Sequence, residues 1–277
     1  MSQDLRDTPA PESTNFSRST SKKAQLTNVA AVLCGVLEDE FSVLQKDAPW
    51  LKAVEMLDPA LHRQPDVLQK NIQEKIDALE ANYHPEAILL VYGLCSRGIE
   101  NVRARVARLV IARAHDCITL LLGDRFRYRD YMKTNPNAYW YSRGWIKWLD
   151  MPSAETLDKK RADFIEKYGE EDAEYLMEVE EQVLQGKKAV FVDLGLTDSE
   201  ADITYTRNAA DSLGWTSEIL HGDPTLLRDL LHGNWDHDRF AVAEPGETFQ
   251  FVGEDRIIGP VACSECPFFQ QGEAPGK

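Results

Sequence analysis

The chain has 277 residues, 31 Lys and Arg against 46 Asp and Glu, and a formal net charge of −15. That length allows one large α/β domain or two small ones, and a hydrophobic content of 43% is enough to bury a core. The acidic balance argues against nucleic acid or an anionic membrane as partner, and no apolar run approaches the roughly 18–20 residues of a membrane-spanning helix.

Residues 1–26 are rich in Ser, Thr, Pro and charge and have no periodic apolar face, so they read as a disordered tail. They also lack the apolar centre of a secretory signal, so a cytoplasmic protein is expected. In that reducing compartment the five cysteines are expected to be thiols, metal ligands or redox groups rather than a disulfide framework.

The body, residues 27–262, alternates strand and helix patterns. Residues 29–35 form an apolar run ending in Cys34-Gly35, a buried strand with a helix directly after it. A weaker strand is expected over 52–58, a turn at Asp58-Pro59, and a helix over 65–79 on Val67, Leu68, Ile72, Ile76 and Leu79. Residues 87–93 carry the strongest strand pattern and lead into Leu94-Cys95, while 108–112 lead into Arg113, His115, Asp116 and Cys117. One helix over 118–133 follows, then an aromatic strand and loop over 138–148.

Residues 150–185 hold about half of the net acidic excess. Leu157, Ile165, Leu176, Val179 and Val183 recur there at helical spacing, which predicts one long helix or a pair hinged near Gly169. This helical insertion, at about 150–186, reads as a solvated charged face. Strands over 188–195, 217–221 and 240–243, helices over 199–213 and 224–231, and a closing hairpin over 245–255 complete the body. Residues 263–277 read as a C-terminal tail. Strands alternating with helices imply βαβ units, hence a Rossmann-like α/β fold of parallel sheet flanked by helices, possible in two lobes.

Ligands of such sheets bind beyond the carboxyl ends of the strands. The residues expected there include Cys34, Asp58 with His62, Tyr92-Gly93 with Cys95, and His115-Asp116-Cys117. Three cysteines from three βα units at one sheet edge point to thiolate ligands, Cys34, Cys95 and Cys117, for zinc or a [4Fe–4S] cluster. His115 and Asp116 are the candidate acid/base or orienting groups, and Cys117 beside His115 is also a candidate nucleophile. Tyr92, Gly93, Arg97 and Arg113 are candidate substrate-binding groups. Tyr141 and Trp145, in the aromatic group Tyr139, Trp140, Tyr141, Trp145 and Trp148, are candidates for a wall against a methylated ammonium. Cys263-x-x-Cys266 stands alone, and half of a zinc ribbon is a weak signal. P-loop, dinucleotide-fingerprint, nucleophile-elbow and zincin signatures are absent.

The set Leu33-Cys34-Gly35-Val36, Asp58 to His62, Tyr92-Gly93-Leu94-Cys95 and His115-Asp116-Cys117-Ile118 resembles the DUF1638 family of prokaryotic proteins. Leu121-Leu122-Gly123, Tyr139-Trp140-Tyr141, Gly222-Asp223 and Gly233-Asn234-Trp235-Asp236 extend the likeness over residues 28–246. The resemblance implies a cytosolic protein associated with corrinoid-dependent methyl transfer, and so a possible corrinoid or methyltransferase protein partner in one-carbon metabolism; it supplies no catalytic residues. A looser architectural similarity connects the three cysteines to quinolinate synthase and the diphthamide-forming radical enzyme. The expectation is a metal- or iron–sulfur-dependent enzyme acting on a small molecule, or else a non-catalytic accessory protein that binds a methylated amine, a corrinoid or a methyltransferase.

Overall fold

Six consecutive buried residues form β1 (Val29–Cys34), the pattern of a strand covered on both faces. The computed structural model describes residues 26–262 apart from Ser96 and Gln185. The main sheet runs in the order β2 (Leu51–Leu57), β1, β3 (Ala87–Val91), β4 (Arg108–Ala112), β8 (Phe240–Ala243). The first four strands are parallel and β8 is antiparallel to β4.

The chain leaves β1 for β2 on one side, through α1 (Glu38–Leu44), and returns past it to β3 through α2 (Pro65–Tyr83). Right-handed crossovers in opposite directions put those two helices on opposite faces of the sheet. The turnaround makes the crevice between the ends of β1 and β3 a topological switch point, where open α/β sheets take ligands. The fold is thus the expected Rossmann-like one.

The helix expected over 118–133 is two helices, α3 (Cys117–Leu122) and α4 (Arg125–Thr134). Gly123, at φ 80°, ends α3, and Asp124 accepts from the amides of Phe126 and Arg127 to start α4. A second, smaller parallel sheet follows, in the order β5 (Ala138–Tyr141), β6 (Lys188–Asp193), β7 (Thr216–His221). Where a loop was expected, α5 (Arg143–Trp148) forms, because Ser142 caps it by accepting from Trp145 N. The acidic segment is a helical pair, α6 (Ala154–Tyr168) and α7 (Glu170–Leu184), separated by Gly169 at φ 86°. Next come α8 (Glu200–Ser212) and α9 (Thr225–Leu231), which packs back on β3 and β4. The closing hairpin is longer than expected: 245–255 holds only β9 (Glu247–Gly253), and β10 (Ile257–Ala262) pairs with it.

The two sheets meet through backbone as well as side chains. Gly144 of α5 lies so close to the turn after β1 that a Cβ there would sit 1.8 Å from Val36 O. Asp223 N, just after β7, donates to Leu121 O of α3 at 3.0 Å. Arg143 pairs with Asp39 of α1 and Asp202 of α8. No helix among the described residues is long and apolar enough to cross a membrane.

Candidate metal centre and its pocket

Each wall of the switch-point crevice is fixed by local chemistry. Cys34 ends β1 with its side chain wholly buried, and Gly35 lets the chain turn against Pro59, whose Cδ would be 3.0 Å from an added Cβ. After β2, Asp58 accepts from Ala60 N at 2.8 Å and nucleates the 3-10 turn Pro59–Arg63, which presents His62. The His62 ring stacks on Tyr92, with centroids 6.2 Å apart. Tyr92 is buried after β3 and donates to Leu33 O at 3.4 Å.

Gly93 is where the next two segments touch. An added Cβ would meet Asp116 Cα and N at 2.6 Å. This contact and two backbone hydrogen bonds, Leu94 N donating to Ala114 O and Cys95 N to His115 O, lay residues 93–95 against 114–116. Cys95 takes φ 47°, a left-handed turn that a side chain rarely adopts. Asp116 caps α3, accepting from Thr119 N at 2.9 Å and Thr119 Oγ1 at 3.0 Å, so Cys117 is the first residue of that helix.

These supports bring together Cys34, His62 and Cys117. Cys34 Sγ lies 3.3 Å from His62 Nε2, and the ligand atoms of all three residues are within 4.8 Å of one another. The Cys95 thiol is in hydrogen-bonding contact with Cys117. All three cysteines are free, buried thiols. The hydrogen bond with Cys117 and then burial push the Cys34 thiol well above its ordinary value, against the pull of His62. For Cys117 the Cys34 bond acts downward, but the Cys95 bond and burial outweigh it and the net direction is upward. Burial, followed by the three sulfurs, raises the Tyr92 phenol. The Cys34–His62–Cys117 group can hold a metal ion.

A pocket of about 360 Å³ opens beside this group. Its lining combines His62, Cys95, Cys117, His115 and Asp116 with an apolar part that includes Val36, Pro59 and Trp145, and with Arg63. His115 is one-third exposed, and its Nε2 lies 3.3 Å from Glu254. It also lines an adjoining cavity with Arg125, Arg129 and Lys133.

Arg113, Arg97 and Tyr141, also singled out in the sequence, lie elsewhere. Arg113 is buried, and its guanidinium donates to the carbonyls of His237, Phe240, Arg256 and Ile258, fastening β4 to the C-terminal strands. Arg97 turns outward to Glu100 and lies over the Phe251 ring. Tyr141 is buried in the core of the smaller sheet, where its hydroxyl donates to Pro152 O at 2.8 Å. Strand alternation divides the aromatic group, with Tyr139 and Tyr141 packed together and Trp140 against Tyr128 and Tyr131. Trp145 alone of the two proposed wall residues lines the pocket. Cys263 and Cys266 lie outside the described residues.

The family described as "Protein of unknown function (DUF1638)" matches residues 56–231. The chain belongs to the DUF1638 family. The matched span includes His62, Cys95 and Cys117 and begins after Cys34. No curated protein and no solved structure matches the chain.

His62 is expected at the strand ends but not among the candidate ligands, Cys34, Cys95 and Cys117. It stands among the strand-end residues, but nothing in the strand pattern distinguished it from a surface histidine. The Asp58-Pro59 start of a capped turn was the available signal.

Proposed function

We propose that the crevice is a metal centre serving chemistry on a small molecule, with Cys34, His62 and Cys117 as ligands and the pocket at the remaining coordination position. The observation that carries this is the clustering of two sulfurs and one imidazole nitrogen within 4.8 Å, beside a pocket lined by two of the three residues. Ligand atoms about 2.3 Å from one ion can be at most about 4.6 Å apart, so the group is close to the dimensions of a single site. Mixed thiolate and imidazole donors favour zinc. A [4Fe–4S] cluster held by three cysteines would use sulfur throughout, and the imidazole within the group counts against it. When bound, such an ion supplies Lewis acidity toward a carbonyl or a metal-activated water.

Of the chain's own residues, Asp116 holds Cys117 at the start of α3, and Gly93 lets the two sulfur-bearing segments approach. His115, at the edge of the pocket, is placed to exchange a proton with a bound molecule. Three protein ligands beside an open pocket are the pattern of a catalytic site, whereas four would be a structural one. Cys95 is therefore assigned to the pocket wall.

Metal analysis of protein purified in zinc-supplemented medium tests this. Cys34→Ala, His62→Ala and Cys117→Ala are each expected to lose the bound zinc, and Cys95→Ala to keep it. Wild-type protein is expected to gain about 3 kcal/mol of stability at zinc a hundred-fold above its Kd. Cobalt-substituted protein should change its visible spectrum when azide is added, because an open position accepts the anion. Full occupancy in all three ligand variants would overturn the site, and a spectrum indifferent to azide would overturn the catalytic reading.

A further inference from the structure

We infer that the pocket takes a small anionic molecule with an apolar body, and that Arg63 selects it; this rests on the pocket being the functional site proposed above. Arg63 follows His62 in the same turn, lines the pocket and is exposed to solvent. Among the described residues its guanidinium has no ion-pair or hydrogen-bond partner. The other cations around the crevice are engaged: Arg97 with Glu100, Arg113 with four carbonyls, Arg143 with Asp39 and Asp202, Lys147 with Glu38 and Asp39. In the adjoining cavity, Arg125 pairs with Asp238, and Arg129 and Lys133 pair with Asp130.

The single carboxylate lining the pocket, Asp116, is turned to other partners: the amide and hydroxyl of Thr119 and the hydroxyl of Tyr128. The pocket therefore presents one unpaired guanidinium and no free acid. Guanidinium offers a planar fork of donors that matches a carboxylate by two parallel bonds. Val36, Pro59, Trp145 and Leu149 supply apolar surface for the rest of the ligand.

A cationic ligand fits less well. A methylated ammonium calls for a cage of several rings, and Trp145 is the one Phe, Tyr or Trp lining the pocket, while Arg63 repels a positive charge. The two ligand classes differ in the sign of their charge, so one residue decides between them.

The test uses three probes of the same shape, 3-methylbutanoate, 3-methylbutanol and 3-methylbutylamine, titrated by ligand-observed NMR. Wild-type protein is expected to bind the carboxylate about tenfold or more tightly than the amine. Arg63→Met should bring the carboxylate down to the level of the alcohol, and Arg63→Glu should reverse the order of carboxylate and amine. Metal content is measured in each protein and the Arg63 variants are compared with wild type at equal metal content, because an ion at the open position would itself favour the carboxylate. The same titration in Cys117→Ala separates the two proposals: a carboxylate preference that persists there alongside unchanged metal content removes the metal centre and leaves the Arg63 assignment standing. Equal affinity for carboxylate and amine in the wild type, or an unchanged preference in Arg63→Glu, overturns the inference.

Discussion

Replacing Gly144 with alanine is expected to lower the unfolding free energy by about 3 kcal/mol or more, near the upper end for a single methyl group. The reason is that two stretches of backbone meet there. An added Cβ would fall 1.8 Å from Val36 O and 2.4 Å from Val36 C, and neither atom belongs to a side chain that can rotate away. Relief requires α5 to move as a unit away from the turn after β1. That turn starts at the end of the strand carrying Cys34, and α5 carries Trp145 and Arg143. Urea unfolding should therefore show the lower stability, and the carboxylate probe should bind more weakly to Gly144→Ala. Equal urea midpoints for variant and wild type would mean that the two backbones do not touch.

The second large effect concerns Glu40 of α1, which is 5% exposed and whose Oε2 has no partner among the described residues. Burial chiefly, together with Asp39 and Asp202, raises its carboxyl to about 7, against the opposing influence of its own backbone amide and of Arg143. A carboxyl whose value is higher in the folded than in the unfolded state favours the fold while it is protonated. Stability is then lost as pH rises from 4.5, the ordinary value, to about 7, and above that the folded protein carries the full cost of a buried charge. That cost is about 3 kcal/mol at most.

Glu40→Gln is expected to flatten this part of the pH–stability curve. It should also be the more stable protein at pH 8, by about 1–3 kcal/mol, less whatever the amide loses by going unpaired. Urea midpoints for both proteins at pH 5 and pH 8 measure the effect. Parallel curves would show that Glu40 ionises in the fold as it does in water.

Much of this arrangement was legible in the sequence because parallel strands impose a rule. Apolar runs ending in Cys34 and leading to Cys95 and Cys117 mark strand ends, and strand ends of one sheet share one edge. What escaped has physical reasons. His62 sits in a 3-10 turn, where neither the strand nor the helix period says which way a side chain points. Arg113 stands two residues from His115, but a long side chain reaches several ångströms from its backbone, and here it reaches toward the C-terminal strands. Tyr141 belongs to a strand and is buried in the core of the smaller sheet, while Trp145, on the helix after it, packs against both cores and reaches the pocket. Arg63 gave no signal, since an unpaired cation is recognised by the absence of neighbours, which only three dimensions reveal. The division of residues 118–133 into two helices was the opposite case: Gly123-Asp124 is a helix stop followed by a helix start, visible in the sequence yet outweighed by the apolar period around it.

The antiparallel pairing of β8 with β4 has a consequence for how the protein is made. The outer edge of β4 is complete only after Phe240–Ala243 has emerged, although β4 itself ends at Ala112. At about 5–20 residues per second, a ribosome takes on the order of ten seconds to synthesise the intervening chain. During that interval a buried, apolar strand presents unpaired amides and carbonyls, a template for pairing with a neighbouring nascent chain. Chaperone demand during synthesis should accordingly concentrate on chains between those two lengths. Slowing elongation in that window should raise the aggregated fraction more than slowing it after β8 has emerged.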